Sequence, residues 1–444
     1  MQSTCTQRML PIFPIHKKIK EEDNHGLQYQ HCCTVHRTMD FVVNKKNLEE
    51  YQVISAPSLE LKEGDVLIKI LKFAFTANNV SYAATGQSSL GYWNFFPSSQ
   101  PTKFGKVPVW GIGIIVASRC PDLPEQQKIY GYFPMSNFAV LHPVQVTSSD
   151  FIDGASHRKS LPAVYNQYLL CSEDSFYTPI TEEAMIVLRP LFFTSWLLVD
   201  FFTRHKFFGA NSLIISSASS KTSIGLAFCL QKQRRDEQLQ IIGLTSHRNL
   251  GFVKSLQLYD PIVLYDNFEQ NLDSTQPACF VDMAGNTKVT SRLHHHYRDD
   301  LKHTCLVGAA HVGQGGKPAS KLPGPRPKFF FAPSWTAQRI VELGRTNGKD
   351  QSSNLAIKRR GLEILLHNVL LDYQRFVHWC MNIDSRDREK DDGRGWLHMK
   401  RYHGPQQVAK GYSACLKGQI GPDTAVVMSL WDATGSTPSI SSKL

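Results

Sequence analysis

The chain has 444 residues and carries 49 Lys and Arg against 38 Asp and Glu, a formal charge of +11. With 42% hydrophobic and 20% charged residues it excludes a wholly disordered chain, and its length suits two or three structural units. The longest apolar stretch, Ile186 to Phe202, is interrupted by Arg189, Pro190 and Asp200, so no membrane span is expected.

Residues 1–24 lack the apolar segment and small-residue cleavage site of a signal peptide. The ten cysteines include no Cys-x-x-Cys pair, which fits reduced thiols and a cytoplasmic setting. The run His294-His295-His296 reads as solvated helix surface, because three adjacent side chains cannot share one face. Basic runs such as Lys358-Arg359-Arg360 are short and not interleaved with aromatics, so nucleic acid is the weaker reading of the charge.

Along the chain, residues 1–39 show no periodicity and read as a poorly ordered extension. From Asp40, short β-rich runs follow: Val66 to Phe73, the Gly-punctuated Val109 to Ala117, Lys128 to Phe133, and Phe138 to Leu141. They predict a small twisted barrel with Gly and Pro corners. A helical stretch, Glu182 to His205, leads into a different rhythm. Strands at Ser212–Ser216, Gln240–Leu244, Pro261–Tyr265, Ala278–Asp282 and Thr304–Gly308 alternate with helices at Ile224–Gln233, Asn249–Leu256 and Thr287–His296. That alternation predicts a doubly wound parallel sheet, an α/β architecture. Residues 313–326 read as a loop and 344–354 as a polar, mobile one. Helices at Leu362–Met381 and Pro405–Leu416 and a strand at Ala425–Leu430 follow, and residues 433–444 should fray.

Chemistry concentrates where the first parallel strand meets its helix. A ligand phosphate favours that place, because the helix start offers free N–H groups. The turn reads Ser216-Ser217-Ala218-Ser219-Ser220-Lys221-Thr222, with Ser219, Ser220, Lys221 and Thr222 as hydroxyl and ammonium donors. The same residues also read as a Ser-capped helix start with an exposed lysine. The second strand ends Thr245-Ser246-His247-Arg248 without an acidic residue, so Ser246 and Arg248 suit a 2′-phosphate better than a free ribose.

With these features the chain resembles the medium-chain dehydrogenase/reductases, in particular the zinc-free quinone and enoyl reductases. The likeness runs through Phe75 to Gly86, Val107 to Ala117, Lys128 to Tyr132, Val281 to Gly285, Leu306 to Ala309 and Gln407 to Val427. Three strings, Ala163 to Tyr168, Ser216 to Thr222 and Leu322 to Pro327, resemble more narrowly the uncharacterised DUF2855 branch. The resemblance implies a GroES-like β-barrel over residues 40–185 and a Rossmann doubly wound sheet over 186–330. Residues 331–432 would then return to the barrel domain.

It also implies NADP(H) held by Ser219, Ser220, Lys221, Thr222, Thr245, Ser246, Arg248, Asp282, Gly308 and Ala309. Tyr82 would be a catalytic proton donor or carbonyl anchor, with a small carbonyl or enone as substrate. Asn79, Tyr92 and Trp93 are secondary candidates for the same cleft, Tyr165, Asn166 and Tyr168 belong to a string placed only near the domain junction, and His311, after the last Rossmann strand, is a further candidate acid. Where zinc-dependent relatives place a Cys and a Gly-His-Glu motif, this chain has Trp110 to Gly113, so a zinc-independent reaction is expected. Pairing through the Rossmann sheet edge would give a homodimer. The alternative is a dinucleotide-binding protein without turnover, serving sensing or interaction.

Overall fold

The structure, a computed structural model, describes residues 34–35, 38–87, 91–237, 239–307, 322–345, 353–383 and 395–436. Most of the N-terminal extension, together with Gly308, Ala309, His311 and residues 437–444, lies outside the described residues.

The first unit begins with strands β1 (Thr38–Asn44) and β2 (Tyr51–Ala56), antiparallel to each other. Next come β3 (Val66–Ala74), helix α1 (Ala77–Ala84), β4 (Pro108–Ser118), β5 (Lys128–Pro134), β6 (Phe138–Leu141), β7 (Asp150–Asp153) and β8 (Gln167–Leu170). The path β7-β8-β5-β4-β3 is antiparallel, and β6 pairs on β3. Alternation along β3 buries Val66, Ile68 and Ile70 in one core. The Gly-punctuated stretch Val109 to Ala117 is a single long strand.

Helix α2 (Glu182–Arg204) leaves this unit and packs against both halves of the molecule. It is long and apolar enough to cross a bilayer, but 67% of its most apolar window is buried within the protein. Its Ser195 Oγ donates to the Thr222 carbonyl (2.7 Å), and a Cβ on Gly225 would lie 2.8 Å from that same Oγ. The glycine therefore sets how closely the helices approach.

The second unit contains β9 (Ser212–Ile215), α3 (Lys221–Glu237), β10 (Gln240–Thr245), β11 (Ile262–Leu264), β12 (Ala278–Asp282), α4 (Thr287–Tyr297), β13 (Leu301–Leu306) and β14 (Lys328–Phe329). All six strands are parallel, in the order β11-β10-β9-β12-β13-β14. Numbered along the chain this is 3-2-1-4-5-6, which reverses between β9 and β12 and opens a crevice at their carboxyl ends. Two features depart from the sequence reading. The sixth strand has only two residues and follows a Gly/Pro-rich stretch, so it gave no periodic signal. His294 is not solvated: its ring is buried, Nδ1 donating to the Pro323 carbonyl (2.8 Å) and Nε2 accepting from Thr304 Oγ1 (2.9 Å). Only His295 of that run is exposed.

Helices α5 (Ala332–Gly344) and α6 (Asn354–Met381) form a hairpin over α2. The chain then adds β15 (His398–His403), α7 (Pro405–Leu416) and β16 (Thr424–Ser429). β16 pairs antiparallel with β3 of the first unit and parallel with β15.

His303 lies flat on Phe208, with centroids 4.1 Å apart and planes 3° apart. Burial, with the Lys328 and His205 charges, lowers its pKa from 6.5 to about 4. The folded state therefore holds this ring neutral while the unfolded chain takes up a proton. This contribution to stability is intact above pH 6.5 and lost as pH falls toward 4. Between pH 7 and pH 5 it should cost about 2 kcal/mol. Urea midpoints at the two pH values should show that loss in the native chain and a much smaller one in His303→Phe. Parallel losses in both would exclude His303 as the cause.

Candidate functional site

A cleft of about 840 Å³ lies at the carboxyl end of the parallel sheet and reaches the mouth of the barrel. One end is polar backbone and hydroxyl, the other aromatic.

At the sheet end, Ser216 Oγ donates to Asp282 Oδ1 (3.1 Å) and accepts from the Met283 amide (2.9 Å). Asp282 also accepts from the amides of Ala284 and Gly285 and from Thr290 Oγ1 (2.9 Å). The carboxylate, buried and held by four donors, fixes the β9 and β12 ends at the switch point rather than offering itself to a ligand. Ser217 adopts φ +50°, a left-handed conformation that glycine takes without strain, and its amide donates to Tyr265 Oη (2.6 Å). The amides left for a phosphate are those farther on, in the first turn of α3.

Ser220 caps that helix: its Oγ accepts from the Ser223 amide (3.2 Å) and donates to Ser223 Oγ (2.9 Å). Ser219 Oγ accepts from Asn249 Nδ2 (2.9 Å), joining the turn to the end of β10 while keeping its own proton to give. Ser217, Ser219, Ser220 and Thr222 all face the cleft.

Lys221 is not the exposed cation that the sequence suggests. Its Nζ donates to the carbonyls of Pro422 (3.1 Å) and Thr424 (2.7 Å), at the start of β16. Burial pulls its pKa down to about 8, although Asp423 acts the other way. It ties the turn to the C-terminal segment instead of standing free. Arg248 is exposed at the cleft edge, and only a long contact (3.4 Å) links its Nη1 to the Gly418 carbonyl. Ser246 is half-buried beside it. Thr245 is buried in the sheet end, and its Oγ1 has no hydrogen-bond partner among the described residues.

At the barrel end, Tyr82 of α1 stacks on Tyr92 (centroids 4.3 Å, 25°) and meets Tyr132 edge-on (6.1 Å). Asn78 Nδ2 donates to Tyr82 Oη (2.7 Å), and the Tyr92 and Tyr165 hydroxyls are 3.5 Å apart. Burial, then the Tyr92 neighbour, drives the Tyr82 pKa far up, so the phenol keeps its proton at neutral pH and can donate a hydrogen bond.

Tyr165 belongs to the string Ala163 to Tyr168, and this is where that string meets the cleft. In the same string Asn166 Nδ2 donates to the Arg158 carbonyl, and Tyr168 Oη donates to the Tyr132 carbonyl (2.6 Å). Both are supports. Asn79 bonds Thr76 and the Pro108 carbonyl, clamping α1, and Trp93 fills the space over Gly86 and Gly105. Neither lines the cleft.

Sequence reasoning missed Trp110, Tyr130 and Arg189 as cleft residues. The i, i+2 spacing of Tyr130 and Tyr132 in β5 was the available signal, since alternate strand residues share a face. Arg189 pairs with Asp174 and lies over Tyr130 (4.8 Å) and Phe176 (4.6 Å). Among the described residues no three His, Cys, Asp or Glu side chains gather as a metal site.

Residues 73–421 match the family model described as a protein of unknown function, DUF2855. No curated protein matches the chain. A crystal structure of CurA in complex with NADPH from Vibrio vulnificus is similar at TM-score 0.53 and 10% identity, covering 90% of this chain and 100% of that one. The structure described simply as CurA from the same organism gives 0.48 at 10% identity, covering 90% and 99%. The yhdH oxidoreductase from Salmonella enterica in complex with NADP gives 0.43 at 11%, covering 88% and 99%. At these identities the likeness is one of fold.

Proposed function

This chain belongs to the DUF2855 family, and from its two-ended cleft we propose that it is an NADP(H)-dependent, zinc-free oxidoreductase acting on a small carbonyl or enone. The observation that carries the reading is one continuous cleft, with a helix start and Arg248 at one end and phenols at the other. The similar fold of a protein crystallised with NADPH supports the choice of cofactor.

The residues fit a dinucleotide. Small side chains in the turn permit close approach, and the first turn of α3 with the Ser219 and Thr222 hydroxyls would hold the pyrophosphate. Arg248, with Ser246 beside it, would hold the 2′-phosphate. Reduced nicotinamide, when bound, supplies a hydride. The Tyr82 hydroxyl would donate to the carbonyl oxygen as charge develops there, and the surrounding aromatic rings keep water from the reacting atoms.

In binding titrations NADPH should hold tighter than NADH. Arg248→Ala should remove most of that preference, a loss of about 1.5–3 kcal/mol for one charge-assisted contact. Equal affinity of the native protein for both dinucleotides would sink the 2′-phosphate assignment.

A further inference from the structure

The turn between β9 and α3 contains no glycine, yet Ser217 takes a left-handed φ of +50°. An L-residue stays in that region only where its surroundings favour it. Three consecutive peptide groups of the turn are each held from outside. The Ser217 amide donates to Tyr265 Oη (2.6 Å), the Ala218 amide to the Leu244 carbonyl (2.9 Å), and the Ala218 carbonyl accepts from Tyr259 Oη (2.9 Å). With Ala218 fixed on both sides, a negative φ at Ser217 would swing its N–H away from Tyr265. The bond to that phenol therefore favours the left-handed form.

Both phenols are themselves fixed. The Tyr265 amide donates to the Thr245 carbonyl (3.0 Å), and its own carbonyl accepts from Arg292 Nη1 (2.7 Å). Tyr259 is buried, and its ring lies against Gly243 of β10, where a Cβ would fall 2.7 Å from it. The Ser219 N–H belongs to the same planar trans peptide as the Ala218 carbonyl and points the opposite way. Tyr259 thereby sets the direction of the Ser219 amide, in a residue that faces the cleft.

We propose that Tyr259 and Tyr265, from the two flanks of β11, are positioning residues for the pyrophosphate of a dinucleotide. They hold the backbone of residues 217–219 in a shape that nucleotide-binding sheets otherwise obtain from glycine. The ligand rests on the oxidoreductase reading, whereas the clamp is a property of the turn.

The test is a double-mutant cycle of Tyr265→Phe and Ser217→Gly, read by calorimetric titration of NADPH and NADH and by urea midpoints. Tyr265→Phe keeps the ring but removes the acceptor, and it should weaken both dinucleotides alike, on the order of tenfold. Arg248→Ala, in contrast, should act chiefly on NADPH. Glycine takes a positive φ without help, so adding Ser217→Gly should return about threefold or more of the lost affinity. It should also shrink the fall in urea midpoint that Tyr265→Phe causes. A ring that merely fills space behind the turn would cost the same in either background. Should Tyr265→Phe fail to fold, Tyr259→Phe should weaken both dinucleotides alike. A folded variant of either tyrosine with native affinity for both, a loss confined to NADPH, or a loss that Ser217→Gly does not relieve overturns the proposal. If the native protein binds neither dinucleotide while urea midpoints still couple the two positions, the oxidoreductase reading falls and the clamp stands. Without that coupling both fall.

Discussion

Replacing Lys221 with methionine is expected to lower the free energy of unfolding by about 1–3 kcal/mol, because two carbonyls lose their donor. Methionine keeps the length and apolar stem but cannot donate to Pro422 or Thr424. Those contacts join the turn before α3 to the strand that closes the barrel sheet, so the variant should loosen the cleft from both sides. The pH dependence has a defined sign. With its pKa pulled down to about 8, the folded lysine releases its proton before the unfolded one, whose pKa is near 10.5. Stability from this group therefore rises between those two values. Urea midpoints of the native chain and Lys221→Met should diverge further at pH 9.5 than at pH 7. A variant as stable as the native chain at both would show that the two carbonyl contacts contribute nothing. The preference for NADPH over NADH should survive this substitution, in contrast to Arg248→Ala.

A second large effect is expected where α5 crosses α6. A Cβ on Gly344 would fall 1.8 Å from the Ile357 carbonyl oxygen, and one on Gly361 would fall 1.7 Å from that of Ile340. Backbone meets backbone there, so neither contact can be relieved by rotating a side chain. In an exposed helix Gly→Ala stabilises by about 1 kcal/mol. Here Gly361→Ala should destabilise by about 1–3 kcal/mol or more, because the helices must separate. Leu362, Leu365 and Leu366 line the cleft from the next turn of α6, so ligand affinity should fall together with the urea midpoint. A stabilised Gly361→Ala would show that the helices do not approach this closely.

The parallel sheet was legible because its strands are short apolar runs between helices, and only the two-residue β14 escaped. The helix crossing was not legible. Gly344 lies in a polar stretch that reads as a loop, and the run Lys358-Arg359-Arg360 hides the apolar period of α6, which starts at Asn354 under a Ser353 cap. In the cleft, the turn of small residues and the missing acidic residue after β10 pointed to Ser219, Thr222 and Arg248, and all three face it. What sequence spacing cannot tell is whether a polar group is already engaged. Lys221 and Asp282 look like ligand contacts in a string of letters, yet Lys221 is taken up by the Pro422 and Thr424 carbonyls and Asp282 by Ser216, Ala284, Gly285 and Thr290. Trp110 has the opposite history: it sits in a strand pattern as one more apolar residue, and only the fold places it on the cleft wall.

A dinucleotide is expected to occupy the sheet end of this cleft. Calorimetric titration of NADPH into extensively dialysed protein tests it most directly. One site per chain, with affinity reduced in Arg248→Ala, is the predicted result. No binding of NADPH or NADH at millimolar concentration by folded protein would contradict it.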